Sequence, residues 1–230
     1  MARLPRADAA GWPHLLRQQV HEGGRWLREP EDRQAALASL REAALAHGVQ
    51  IHAYALAPTQ LWLLATPEHA QGLSLFMQAF GRRYVGAFNR RHGRSGTLWA
   101  GRYRATVVDP VRSLLDAMVL VECQTEEGAP EALLASSRAH HLGQSADSLV
   151  TDPAAYWALG NTPFDRHLAW RERLKQGLGA GRIRDIEAAV QTGWALMPRA
   201  EAEALGLSIG RRLAPAARGR PRSRKESDPI

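Results

Sequence analysis

Between Glu68 and Asp109 the chain carries no acidic residue, yet it holds Arg82, Arg83, Arg90, Arg91, Arg94, Arg102 and Arg104. The same window, GRRYVGAFNRRHGRSGTLWAGRYRA, also contains Tyr84, Asn89, Trp99 and Tyr103. Guanidinium groups neutralise phosphates and aromatic rings stack on bases, so this mixture suits nucleic acid, single strands included. A solvated basic face with Trp99 packed into the core accounts for the same residues without a ligand. A second basic cluster, Arg218-Gly219-Arg220-Pro221, is followed by Arg222, Arg224 and Lys225. An extended RGRP segment can place its arginines in a narrow A·T minor groove. A solubilising tail with phosphate affinity is the equal alternative.

Residues 60–66, QLWLLAT, have the composition of a buried strand. Side chains alternate along a strand, so Gln60, Trp62 and Leu64 share one face and Leu61 and Leu63 the other. An amide beside an indole marks either a face that meets solvent or a face that lines a site. Other chemistry is sparse. Adjacent histidines such as His140-His141 read as surface residues rather than a metal pair. Glu126-Glu127 has no evident partner carboxylate, and His52 reads as a core or edge histidine of a strand. No glycine-rich phosphate loop, serine elbow or zinc spacing occurs. Cys123 is the single cysteine, which excludes a disulfide framework and predicts a buried thiol.

These residues need a scaffold. The chain has 230 residues, a net charge of +7 and a pI of about 10.4. The charge is arginine's, with lysine only at Lys175 and Lys225. No apolar run reaches membrane length, and the N-terminus lacks the apolar core of a signal peptide, so the expectation is a cytoplasmic, nucleoid-associated protein. Strands are predicted at 12–20, 49–56, 60–66 and 102–108. Helices are predicted at 30–48, where proline and acids open it, at 69–93 and at 110–124. The order β-α-β-β-α-β-α gives an α+β class: an antiparallel sheet with helices on one face. The expected organisation is a DNA-binding unit at 1–125, a loop-rich connection at 126–150, a helical extension at 151–212 and a basic disordered tail at 213–230.

Several pieces of the sequence carry a resemblance: MARLPR, HAYALAP with LLATP, the arginine window above, and SLLDAM. SSRAHHLG, DPAAYWALG, IEAAVQTGWAL and ARGRPR extend it over nearly the whole chain. Together they are similar to the REP-associated tyrosine transposases of the HUH superfamily. The resemblance implies a ferredoxin-like HUH domain that binds single-stranded DNA hairpins and cuts beside them. It further implies a helix tyrosine as nucleophile, and a divalent metal such as magnesium or manganese held by two histidines around one apolar residue.

This sequence departs from that pattern at the chemistry. The histidine positions align with Gln60 and Trp62 in Pro58-Thr59-Gln60-Leu61-Trp62. The nucleophile aligns with Leu120, before Val121-Glu122, and a further polar ligand with Gln124. Leucine has no hydroxyl, and an indole does not bind magnesium. The expectation is therefore a DNA-binding protein without catalytic residues, metal or cofactor, its DNA contacts made by the arginines named above with Asn89 and Trp99. An active transposase using displaced residues is the alternative. A preference for RNA hairpins and assembly as a homodimer both stay open.

Overall fold

A computed structural model describes residues 6–124 and 130–216. The Arg218 and Arg220 cluster lies outside the described residues, as does Glu126-Glu127. Within them, β1 (His14–Gln19), α1 (Pro30–Ala46), β2 (Val49–Ala57), β3 (Gln60–Pro67), α2 (Gly72–Arg91) and β4 (Arg104–Val107) follow in the predicted order. Next come α3 (Leu114–Glu122), a two-residue strand β5 (Ala135–Ser136) and the short helices α4 (Arg138–His141) and α5 (Ala154–Trp157). The chain continues through α6 (Pro163–Gln176), α7 (Ala180–Thr192) and α8 (Arg199–Ser208). The sheet has the order β4-β1-β3-β2-β5 with every neighbouring pair antiparallel. Its first four strands have the ferredoxin-like arrangement that the resemblance implies.

Strand alternation divides the core. Leu16, Leu61, Leu63 and Ala65 point to one face, where they meet Leu40 of α1 and Phe76, Phe80, Tyr84 and Phe88 of α2. Leu15, Trp62 and Leu64 point to the other, where they meet α3 and the apolar stripes of α6 and α7. Helices on one face therefore describes only α1 and α2; the opposite face is covered as well. That second layer explains the composition of α3. Its segment LLDAMVLVE is apolar nearly all round because the helix is sandwiched between sheet and extension. Its one acid in the first turn, Asp116, accepts from Arg173 of α6 at 2.6 Å and Arg182 of α7 at 2.8 Å.

Helix α1 opens on a reciprocal capping box between Glu29 and Asp32, with Pro30 at its first position. The buried Asp32 carboxylate accepts from the backbone N–H groups of Arg28 and Glu29, and also from Arg91 at 2.8 Å and His92 at 2.9 Å. One carboxylate thus joins the start of α1 to the end of α2.

Candidate nucleic-acid interface and the replaced catalytic position

Helix α2 presents Arg82, Gly86, Asn89 and Arg90 at i, i+4, i+7 and i+8, one stripe opposite its buried aromatic face. The Asn89 amide donates to the Gly96 carbonyl at 2.8 Å and the Arg94 N–H to the Asn89 carbonyl at 2.9 Å. These bonds fold the loop 92–103 back onto the helix. Trp99 is half-buried against Trp26 and Phe80, with centroids at 5.3 and 6.3 Å. Beside it lies an open groove of about 530 Å³ lined by Arg6, Gln18, Ser74, Trp99, Arg102 and Tyr103.

The arginines of the window are not equivalent. Arg82, Arg90 and Arg102 are exposed and make no ion pair among the described residues. Arg83 pairs with Glu42 of α1, and Arg91 is committed to buried Asp32. Arg94 donates to the Thr97 carbonyl at 3.4 Å. Arg104 sits elsewhere: its guanidinium donates to the Gln191 carbonyl of α7 at 2.8 Å, on the extension side of the sheet. The structure therefore separates Arg104 from the arginines of α2.

On that extension side, Trp62 is 1% exposed and shares a cluster with Leu64, Leu120 and the rest of α3. The solvent-facing reading of this strand is thereby excluded. Leu120 is buried in the same cluster, and the Gln124 amide donates to the Leu120 carbonyl at 3.1 Å, closing its own helix. Arg17 of β1, opposite Trp62 in register, donates to the Gln60 side chain at 3.2 Å with its guanidinium 5.1 Å from the indole centroid. Sequence reasoning missed Arg17. Only strand register brings it to this place, and no local motif announces it.

No protein-family model matches the sequence, and no curated protein matches it. Among solved structures, a REP-associated tyrosine transposase bound to a REP hairpin superposes with a TM-score of 0.50 at 12% identity. The match covers 67% of this chain and 96% of that one. The fold is that of a REP-associated tyrosine transposase. A candidate transposase from Deinococcus radiodurans R1 is less similar, with a TM-score of 0.36 and 23% identity over 42% of this chain and 78% of that one.

Within this transposase fold every tyrosine is already engaged. The hydroxyl of Tyr54 donates to Asp147 at 2.5 Å, that of Tyr84 to the Trp26 carbonyl, and that of Tyr156 to the His141 carbonyl at 2.8 Å. Tyr103 lies under the Arg6 guanidinium with its hydroxyl 3.3 Å from Ser74. Burial raises the pKa of all four phenols, that of Tyr156 to about 12. A phenol of raised pKa is a poor nucleophile.

Two expectations fail at the end of α3. Cys123 is exposed rather than buried. His141, expected on the surface, is fully buried. Its Nδ1 lies 2.5 Å from Glu122 Oε1, which also accepts from Ser137 at 2.5 Å, while Glu122 Oε2 accepts from the Trp170 indole at 2.8 Å. Burial opposes charge on His141, but Asp152 and Glu122 outweigh it and lift the imidazole to about 9. His52, by contrast, is a core histidine as expected, bonded to the Thr151 carbonyl at 2.7 Å and the Thr66 hydroxyl at 2.8 Å. Among the described residues no helix is long and apolar enough to cross a membrane.

Proposed function

We propose that this protein binds single-stranded or hairpin DNA with a transposase scaffold and does not cut it. The observation that carries the proposal is the state of the catalytic position. Gln60 and Trp62 stand where the family resemblance places metal-ligating histidines, and Leu120 stands where it places the nucleophile. The indole is packed under α3, so the position is filled by core rather than left open. The four engaged tyrosines supply no substitute.

Binding is supported on the other side of the sheet. Arg82, Arg90 and Arg102 are exposed cations without an ion pair among the described residues, and Gly86 between Arg82 and Arg90 leaves room for a phosphate backbone to approach. Trp99 and the neighbouring groove offer a ring face on which a splayed base can stack. The solved relative of the same fold carries a REP hairpin, which supports DNA over RNA as the ligand class.

The test is electrophoresis of purified protein with a labelled single-stranded DNA hairpin. A mobility shift at low salt is expected, weakened by the Arg82→Ala/Arg90→Ala double variant and with RNA hairpins competing less well. No shift under these conditions overturns the proposal.

A further inference from the structure

His140, His141 and Asp152 converge at the junction of α4 and α5, and the geometry points to a binding site for one divalent zinc-like cation there. The three ligand atoms lie within 4.8 Å of one another. Asp152 Oδ1 is 3.2 Å from His140 Nε2 and 3.4 Å from His141 Nε2. Tetrahedral zinc with bonds of about 2.0–2.1 Å sets neighbouring ligand atoms about 3.3 Å apart, which both distances match.

The opposite ring atoms are already held. His140 Nδ1 accepts the Asp147 N–H at 3.1 Å, which turns its Nε2 toward Asp152. His141 Nδ1 is bound to the buried Glu122 carboxylate, the carboxylate–histidine arrangement that orients imidazole ligands and raises their basicity. His141 Nε2 is buried and makes no well-formed hydrogen bond. Its neighbour there is the Asp152 carboxylate, in a long ion pair at 3.4 Å that satisfies a buried nitrogen poorly. A cation between the three would satisfy it.

Two imidazoles and a carboxylate suit zinc better than magnesium, with a fourth position for water. His140 and Asp152 are partly exposed, so the ion has a path in. On binding, any protons on the two Nε2 atoms pass to water. The ligand set includes neither Gln60 nor Trp62, so the inference holds whether or not the catalytic position is dead, and it replaces the expectation of no metal for this one location. Its role is to pin α4 to the segment before α5, both of which pack beneath the extension.

Calorimetric titration of metal-free full-length protein with Zn²⁺ tests it. One ion per chain is expected, with Co²⁺ at the same place giving the visible absorption of a four-coordinate ion. His140→Ala and Asp152→Asn should each weaken binding at least about tenfold, as even outer-sphere substitutions do. His21→Ala, an exposed histidine elsewhere, should leave it unchanged. Absence of Zn²⁺ binding in the natural chain overturns the inference, as does binding that neither variant weakens. Should both variants fail to fold, the imidazole nitrogen resonances of the natural chain decide instead. Zn²⁺ must shift those of His140 and His141, and shifts confined to other histidines overturn the inference.

Discussion

Trp62 carries the most information of any single residue here. An indole at 1% exposure contributes through packing, and its neighbour Arg17 adds a cation–π contact. Trp62→Ala should therefore destabilise the fold by about 3–5 kcal/mol in urea unfolding, the usual cost of removing a buried tryptophan. A loss below about 1 kcal/mol would contradict the packed position described for it. His14 makes a second residue-scale prediction. Its Nδ1–H donates to the Trp12 carbonyl at 2.7 Å, and Nε2 accepts the Ala9 N–H at 3.2 Å, so the neutral ring is the one that fits. Burial lowers its pKa to about 4, with repulsion from Arg211 adding to the effect. Between about pH 6.5 and 4 the unfolded chain takes up a proton that the folded chain refuses. Stability should thus fall on acidification through that window, by about 3 kcal/mol for this group. The histidine should titrate near 4 by NMR, and a value near 6.5 would sink the argument.

At the scale of elements, α2 is built from two incompatible-looking demands. Its aromatic face at Phe76, Phe80, Tyr84 and Phe88 fixes it on the sheet, while its outer stripe includes a glycine in mid-helix. A methyl group at Gly86 would meet only the end of Arg90 at 3.9 Å. Gly86→Ala should then raise stability by about 0.5–1 kcal/mol, measured by thermal or urea unfolding, and a loss of stability would show hidden crowding there. Periodicity made this helix legible, as it did β1 to β4, α1 and α3, because each has one clear buried face or a clear apolar run. It did not reveal α8 as a separate helix, whose buried contacts are only Ala202 and Gly206. Nor did it reveal β5, whose two residues carry no pattern and join the sheet only by pairing with β2. His141 was misread for a related reason. Its burial comes from Glu122 and Trp170, 19 and 29 residues away in sequence, and adjacent histidines in a loop-rich segment give no sign of such partners.

At the scale of the whole molecule, the sheet separates two surfaces. One side carries α1, α2 and the cationic stripe; the other is closed by α3 and the extension around Trp62 and Leu120. The arginine window could be read from sequence because an acid-free stretch of that length is visible without a fold. Its division into exposed, ion-paired and wrongly facing members could not, since Glu42, Asp32 and Gln191 reach it only through tertiary packing. The separation also yields the account's central claim, binding without cleavage. A single labelled DNA hairpin with flanking single strands, incubated with protein and Mg²⁺ or Mn²⁺, tests it when run on native and denaturing gels in parallel. The account predicts a shifted complex on the native gel, and intact, protein-free DNA on the denaturing one. A covalent protein–DNA species that survives denaturation, or a nicked strand that depends on the metal, would contradict it.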